Sequence, residues 1–393
     1  MGLEPQTSRL SLDAMFSAPL SPEVIEAMRP WWQERVGSPS SLHRSGLAAR
    51  KALALAREQV ARFLGTSDPE RVLFVSDGVE AINLALKGLV ESPRRRGTHV
   101  VTSALEHPAV RKSVEWMKRR HPIQESLVAP TCEGFLEPSA VQAAMREDTF
   151  VIATHAIQPD LGVVQNVDAF AQLSRQSGIP LFLDFDAAAG WQALNAEARG
   201  VGFASVSAHR FGGPRGVGVL YRDRRLRLAP QMEGGEQEFG LRAGAENLPA
   251  IVGAGVAAEM AARDREARCV RVRWLQSEFL TRLGELVSGV RLHGPKPGGA
   301  RSPESLNLSI EGVEGEALVL FSDLQGLELH SGAACLSRGA VVPPALEAIG
   351  IEPSQARESI LVSFSEALSA SDLAWAVGIL ARGVDRMRSL GPR

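Results

Sequence analysis

The sequence predicts an α/β protein in which a doubly wound, mostly parallel sheet is followed by a smaller α+β portion. Three observations predict it. Between residues 71 and 222, short apolar runs bounded by turn residues alternate with helical periodicity, the pattern of successive βαβ units. One unusually long helical pattern follows. The tail then changes character, to an apolar strand, a helix, a short second run and a final amphipathic helix.

Taken in order, strands are predicted over RVLFVS (71–76), THVVTSA (98–104), TFVIATH (149–155), PLFLDFD (180–186), FASVSA (203–208) and VGVLYR (217–222). Amphipathic helices are predicted over VEAINLALKGLV (79–90) and VDAFAQLSRQSG (167–178) between them. In such a sheet, ligands bind where strands end at their carboxyl edge. The long helix runs from about Glu246 to Val287, with Arg and Glu at three- and four-residue spacing, and reads as a connector to a second domain. In the tail, SLNLSIEGV (305–313), a helix over GEALVLFSDLQG (315–326), LELHS (327–331) and a helix from Ser371, read as its N-cap, to Met387 make the α+β portion.

Composition excludes several function classes. With 45% apolar and 22% charged residues the chain is neither disordered nor fibrous. A formal net charge of -2 supplies no general electrostatic attraction to nucleic acid or to an anionic membrane, so neither is expected as a partner. The amino terminus, MGLEPQTSRLSLDAMF, carries acidic and proline residues where a signal peptide needs a basic region and an apolar run, and Gln6 stands where N-myristoylation wants Ser or Thr. The most apolar stretch, Ala250–Ala258, is about half the length of a spanning helix. Three cysteines, Cys132, Cys269 and Cys335, are an odd and sparse set that points to a reducing compartment, with the cytoplasm as the default. The histidines have no CxxC or HExxH context, so no metal site is expected. The GPRGVG run at 213–218 feeds a strand instead of opening a helix, which argues against a dinucleotide loop.

Eight stretches, in order, resemble the cysteine desulfurases of the class V aminotransferase family. They include SPSSLHRSGLAAR (38–50), FVSDGVEAINLALKG (74–88), TSALEHPAVRKSV (102–114), HAIQPDLGVVQ (155–165), SVSAHRFGGPRGVGVLY (205–221), GLRAGAEN (240–247) and LHSGAACLSRG (329–339). The resemblance covers nearly the whole chain. It implies a pyridoxal-phosphate fold-type-I architecture with a seven-stranded sheet, a large domain over 17–256 and a small α+β domain over 1–16 and 257–393. It also implies a two-fold dimer and a cysteine that passes sulfur onward from the small domain.

Against that family the first contacts to cofactor and substrate have changed together. The Schiff-base lysine of the family's SAHK motif is Arg210, and the chain has only five lysines, Lys51, Lys87, Lys112, Lys118 and Lys296, so none lies between 119 and 295. Arginine is always protonated and cannot become the aldimine nitrogen. Asp186 keeps the carboxylate that the family places under the pyridine nitrogen, but Ala189 replaces the glutamine three residues on. Pro159, before Asp160, replaces a ring-contacting Asn; Val79 replaces the phosphate-binding Thr of the GATE turn; Ala245 replaces the threonine that reaches the partner's phosphate; and Leu361 replaces the arginine that grips the substrate carboxylate. Ser207 and His209 are kept, His107 matches the histidine that stacks on the cofactor ring, and Gly78 opens the phosphate turn. His107 is equally readable as a core histidine, and Asp186 as a cap on the next helix.

Cys335 escapes the decay. It lies between Gly332 and Gly339, and Arg338 stands three residues on, where it favours the thiolate. Cys132 and Cys269 have no such context. Two readings stay open at this point. One is a catalytically altered desulfurase homologue that acts as a sulfur-transfer partner through Cys335, as a homodimer or paired with an active relative, with a sulfur-acceptor protein downstream and pyridoxal phosphate absent or weakly held. The other is an enzyme that has repurposed His107, Asp186, His209 and Arg210 for an anionic small molecule, and a third variant holds pyridoxal phosphate without a covalent link.

Overall fold

Seven strands form the central sheet of the computed structural model, which describes residues 9–17, 19–33, 37–93, 95–331 and 343–390. In chain order they are β1 (Val72–Val75), β2 (His99–Ser103), β3 (Gln124–Val128), β4 (Thr149–His155), β5 (Leu181–Asp184), β6 (Phe203–Ser207) and β7 (Gly218–Arg222). Their spatial order is β1-β7-β6-β5-β4-β2-β3, and all pairs are parallel except the two made by β7. The sheet is therefore mostly parallel, as the sequence predicts. Six of the seven strands are those expected from their apolar runs. The seventh, β3, is an edge strand with the half-exposed sequence QESLV, so it carries no apolar run to read.

Helices cover both faces. The fully buried strands β1, β2, β4, β5, β6 and β7 meet α1 (Gly78–Val90) and α2 (Pro108–Arg120) through one apolar cluster that includes Leu84, Val114 and Phe182. A second cluster joins the sheet to the helices Pro22–Gln33 and Arg44–Leu64 and to the first half of α3 (Leu248–Leu286), through Val60, Leu64, Phe211 and Ala254.

The 39 residues of α3 span about 58 Å at 1.5 Å per residue, and the helix does more than connect. Its first half buries Gly253, Ala254, Gly255, Ala257 and Ala258. A Cβ on Gly255 would sit 2.9 Å from the Ala56 Cα, so only glycine permits this close approach of the two helices. Its second half buries Val272, Leu275, Phe279 and Leu283 in a separate cluster with Leu306, Leu308, Val362, Phe364 and Leu380. That cluster belongs to a three-stranded antiparallel sheet, Val290–His293, Ser305–Ile310 and Ser359–Ser363, backed by the helix Ala370–Leu390. The amino-terminal strand Leu10–Ser11 pairs with Leu327–Glu328 beside it. The final helix starts one residue before the expected cap. Ser369, not Ser371, makes the cap, because its Oγ accepts from the Asp372 N–H (3.1 Å) while Asp372 Oδ2 accepts from the Ser369 N–H (2.8 Å).

Candidate functional site

The parallel strands all end on one edge, and the residues just past those ends gather around a cavity of about 150 Å³. After β2 comes the turn that carries Glu106 and His107; β4 ends on His155; β5 ends on Asp184, two residues before Asp186; β6 leads through Ser207 into a short turn, Ala208–Phe211, that carries Arg210. Glu106, His107, His155, Asp160, Asp184, Asp186 and Arg210 all line the cavity.

Asp186 is held at both oxygens. The Ser207 N–H donates to Oδ1 (2.6 Å) and Arg210 Nε donates to Oδ2 (2.8 Å). Burial works to raise its pKa, but the charge and hydrogen bonds of Arg210 and the Ser207 bond outweigh it and hold the carboxyl below the usual range. Arg210 Nη1 also donates to the Met15 carbonyl (3.0 Å). The helix-capping alternative for Asp186 falls to its neighbour, since Asp184 Oδ1 accepts from the Asp186 N–H (3.0 Å). Ser207 Oγ accepts from the Gly78 N–H (2.9 Å), and a Cβ on Gly78 would lie 2.7 Å from that oxygen. A larger residue there must displace the Ser207 hydroxyl. The same turn is already capped by acid: the Glu80 N–H donates to Asp77 Oδ1 (2.9 Å), and the Ser76 N–H donates to Glu80 Oε2 (2.6 Å).

A second buried pair, joined by a hydrogen bond, completes the floor. His155 Nδ1 lies 3.0 Å from Glu106 Oε1, which also accepts from Ser103 Oγ (2.6 Å). Gln165 is oriented by the backbone, with Oε1 accepting from the Leu136 N–H (3.0 Å) and Nε2 donating to the Gly134 carbonyl (2.9 Å), so it presents an N–H to His155 Nε2 at 3.1 Å. Burial lowers the His155 pKa, yet the Glu106 carboxylate prevails and holds it above the ordinary histidine range. Asp184 and Asp160 are pushed up, first by burial, with Asp186 adding to the rise at Asp184. Glu304, electrostatically coupled to Arg210, is raised by burial to about 7.

The expected residues thus divide. His107, Asp186 and Arg210 line the cavity, while Ser207 and Gly78 brace Asp186 from behind and His209 lies outside the lining. His107 is not a core residue: it is exposed and caps α2, its Nδ1 accepting from the Ala109 N–H (3.1 Å). Cys335 and Arg338 lie outside the described residues, but His330 and Pro344, on either side of 332–342, line the cavity. Cys269 is buried and its thiol is pushed up by burial, whereas Cys132 is exposed. Sequence reasoning missed Glu106, His155, Asp184 and Glu304; the available signal was their place at or beside strand ends.

At position 361 the structure shows a stranded polar group. Leu361 stands opposite Asn307 in the small sheet and is bridged to His330. Directly opposite residues share a face of the sheet. Both polar side-chain atoms of Asn307 are buried without a hydrogen-bond partner. Among the described residues, no group of His, Cys, Asp and Glu is arranged to hold a metal ion, and no helix is long and apolar enough to cross a membrane.

Comparison with known proteins agrees with this geometry. The family model for aminotransferase class V matches residues 11–373. A cysteine desulfurase IscS of Dictyoglomus turgidum is 32% identical over 381 residues, 97% of this chain and 96% of the relative. Among solved structures, a NifS-like protein superposes with a TM-score of 0.89 at 25% identity, over 96% of this chain and 100% of the other. A structure of SspA in complex with cysteine superposes at 0.79 with 27% identity, over 91% and 99%. The parallel sheet, the site on its carboxyl edge and these relatives lead to one conclusion: the chain belongs to the aminotransferase class V family and is a homologue of its cysteine desulfurases.

Proposed function

We propose that this chain is a desulfurase homologue without Schiff-base catalysis, and that it serves sulfur transfer as a partner protein through Cys335. The observation that carries the reading is the Arg210–Asp186 ion pair, 2.8 Å long, at the positions where the family has its lysine and its ring-nitrogen carboxylate. Pyridoxal phosphate supplies an electron sink to the family's amino-acid substrates. The residues of this chain do not fit it at three points. At the aldehyde end there is a guanidinium in place of an amine. Under the ring nitrogen, Asp186 is engaged by Arg210 and by the Ser207 N–H. At the phosphate end, the Asp77 carboxylate places negative charge at the helix N-terminus and takes its Glu80 N–H, and Val79 offers no hydroxyl.

The same pair argues against an anionic substrate in the cleft, because the Arg210 fork is directed to Asp186 and to the Met15 carbonyl. Sulfur transfer needs neither cofactor nor oxidant. The Cys335 thiolate attacks the outer sulfur of a donor's persulfide, the donor's S–S bond breaks, and the donor leaves as its thiolate. Support comes from the sequence context of Cys335 and from the two flanks of its segment, His330 and Pro344, which face the cleft.

The test has two parts. Borohydride treatment of the purified protein yields no pyridoxyl adduct, and L-cysteine releases no sulfide; release of sulfide by the protein or by Arg210→Lys alone would sink the reading, since Leu361 still leaves the substrate carboxylate without a partner. Incubation with an active desulfurase and L-cysteine places a persulfide on Cys335 that Cys335→Ser abolishes. If labelling falls on the exposed Cys132 instead, the relay role fails.

A further inference from the structure

The charges around the cleft do not balance. Two of its four carboxylates have a close partner, Asp186 in its ion pair with Arg210 and Glu106 in its hydrogen bond with the His155 ring. Among the described residues Asp160 and Asp184 form no ion pair, and burial has pushed both up, at Asp160 against the pull of Arg210 and His107 and at Asp184 against that of His107. Glu106 is incompletely satisfied as well. Its side chain is fully buried and its Oε2 has no hydrogen-bond partner, although it lines the cavity. A buried carboxylate oxygen without a donor is unfavourable, and the penalty is relieved when a donor reaches it. Of the other two histidines in the lining, His330 is held below the ordinary range by burial and His107 is exposed.

Leu105, Ile157 and Ala187 add apolar wall. A volume of about 150 Å³ is that of an engineered cavity able to hold benzene, so the occupant has on the order of five or six heavy atoms inside.

We infer that the cleft binds a small organic cation, a primary ammonium on a short apolar body, with the ammonium donating to Glu106 Oε2 and neutralising the Asp160 and Asp184 side of the pocket. An ammonium has three donors and no acceptor, which suits a floor of carboxylate oxygens. A free amino acid suits it less, because its carboxylate meets the same acidic surface and Leu361 offers no counter-charge. The inference rests on the reading that pyridoxal phosphate does not fill the cleft.

The experiment compares four probes of similar size, n-butylammonium, 1-butanol, propionate and L-alanine, by calorimetric or NMR titration of the full-length protein at low salt. Butylammonium is expected to saturate one site at least about tenfold more tightly than each of the other three, a difference of ~1.4 kcal/mol. Glu106→Gln and, separately, Asp160→Asn each weaken it severalfold or more, so that loss of fold in one variant leaves the other to report. Equal binding of butylammonium and butanol, tighter binding of propionate or L-alanine, or no saturable binding of butylammonium overturns the inference. The visible absorbance of the same sample separates the two failures. A pyridoxal chromophore overturns both readings, whereas a colourless protein that ignores butylammonium overturns only this one.

Discussion

Two buried arginine–carboxylate pairs, Arg57–Glu238 and Arg210–Asp186, are built differently. The first is saturated. Arg57 grips Glu238 with both terminal nitrogens (2.8 and 2.6 Å), Glu238 also accepts from the Phe74 N–H (2.8 Å), and the guanidinium lies 4.9 and 5.2 Å from the ring centres of Phe74 and Phe239. The contact even holds Glu238 at a φ of 46°, a left-handed conformation that disfavours non-glycine residues by about 1–2 kcal/mol. The Glu238 side chain is 2% exposed. Arg210 meets Asp186 through one nitrogen, the Asp186 side chain is 22% exposed to the cleft, and further carboxylates crowd the pair. The difference separates a pair sealed within the fold from one that borders the cavity. Burial of the arginine alone does not distinguish them; the two-point grip and the exposure of the carboxylate do.

The sharpest way to break this comparison is the same substitution at both sites. Arg57→Met strands a carboxylate away from water and is expected to destabilise the protein by about 3–5 kcal/mol. Arg210→Met leaves Asp186 its Ser207 bond and access to the cleft, and is expected to lose less than about 2 kcal/mol. Urea midpoints measure both, and a reversed order would refute the distinction.

Next in size is the pH dependence of the crowded pair. Glu304 titrates near 7 in the folded protein against 4.5 for a free carboxyl. As pH rises from 4.5 to 7 the unfolded chain ionises first, so stability falls across that window and levels off above it. Glu304→Gln is expected to remove the fall, a gain on the order of 1–3 kcal/mol at pH 8 that vanishes near pH 4. Denaturation curves of both proteins across this range decide it.

Asn307 tests whether the small sheet keeps the mark of a lost polar partner. Asn307→Leu removes two unsatisfied buried atoms opposite Leu361 and is expected to stabilise by about 1–2 kcal/mol. A destabilised variant would mean that the amide has a partner after all. The smallest effect is expected at Gly78. An alanine Cβ there must displace Ser207 Oγ, costing about 1 kcal/mol. A thermal shift for Gly78→Ala that disappears in the Gly78→Ala, Ser207→Ala double variant would confirm the contact.

Much of the fold was legible because burial writes itself into sequence. Strands such as TFVIATH are buried on both faces and read as continuous apolar runs, and the long helix announces itself by length. Among the strands that escaped detection, β3 at the sheet edge and Val290–His293 at the edge of the small sheet carry no such run. Ser359–Ser363 escaped although it is buried throughout, because it is short and its neighbours in the sheet lie far away in sequence.

The sequence by itself determined the class of fold and the absence of any lysine between residues 119 and 295, since both are properties of what the chain contains and in what order. It also located Asp186 and Arg210. That Arg210 turns its guanidinium onto Asp186, and that Glu106, His155, Asp160 and Asp184 share one cleft with them, only the tertiary structure decided. Those residues come from separate strand ends, brought to one edge by the parallel sheet. Electrostatic balance depends on distances of a few ångströms, which no linear spacing encodes.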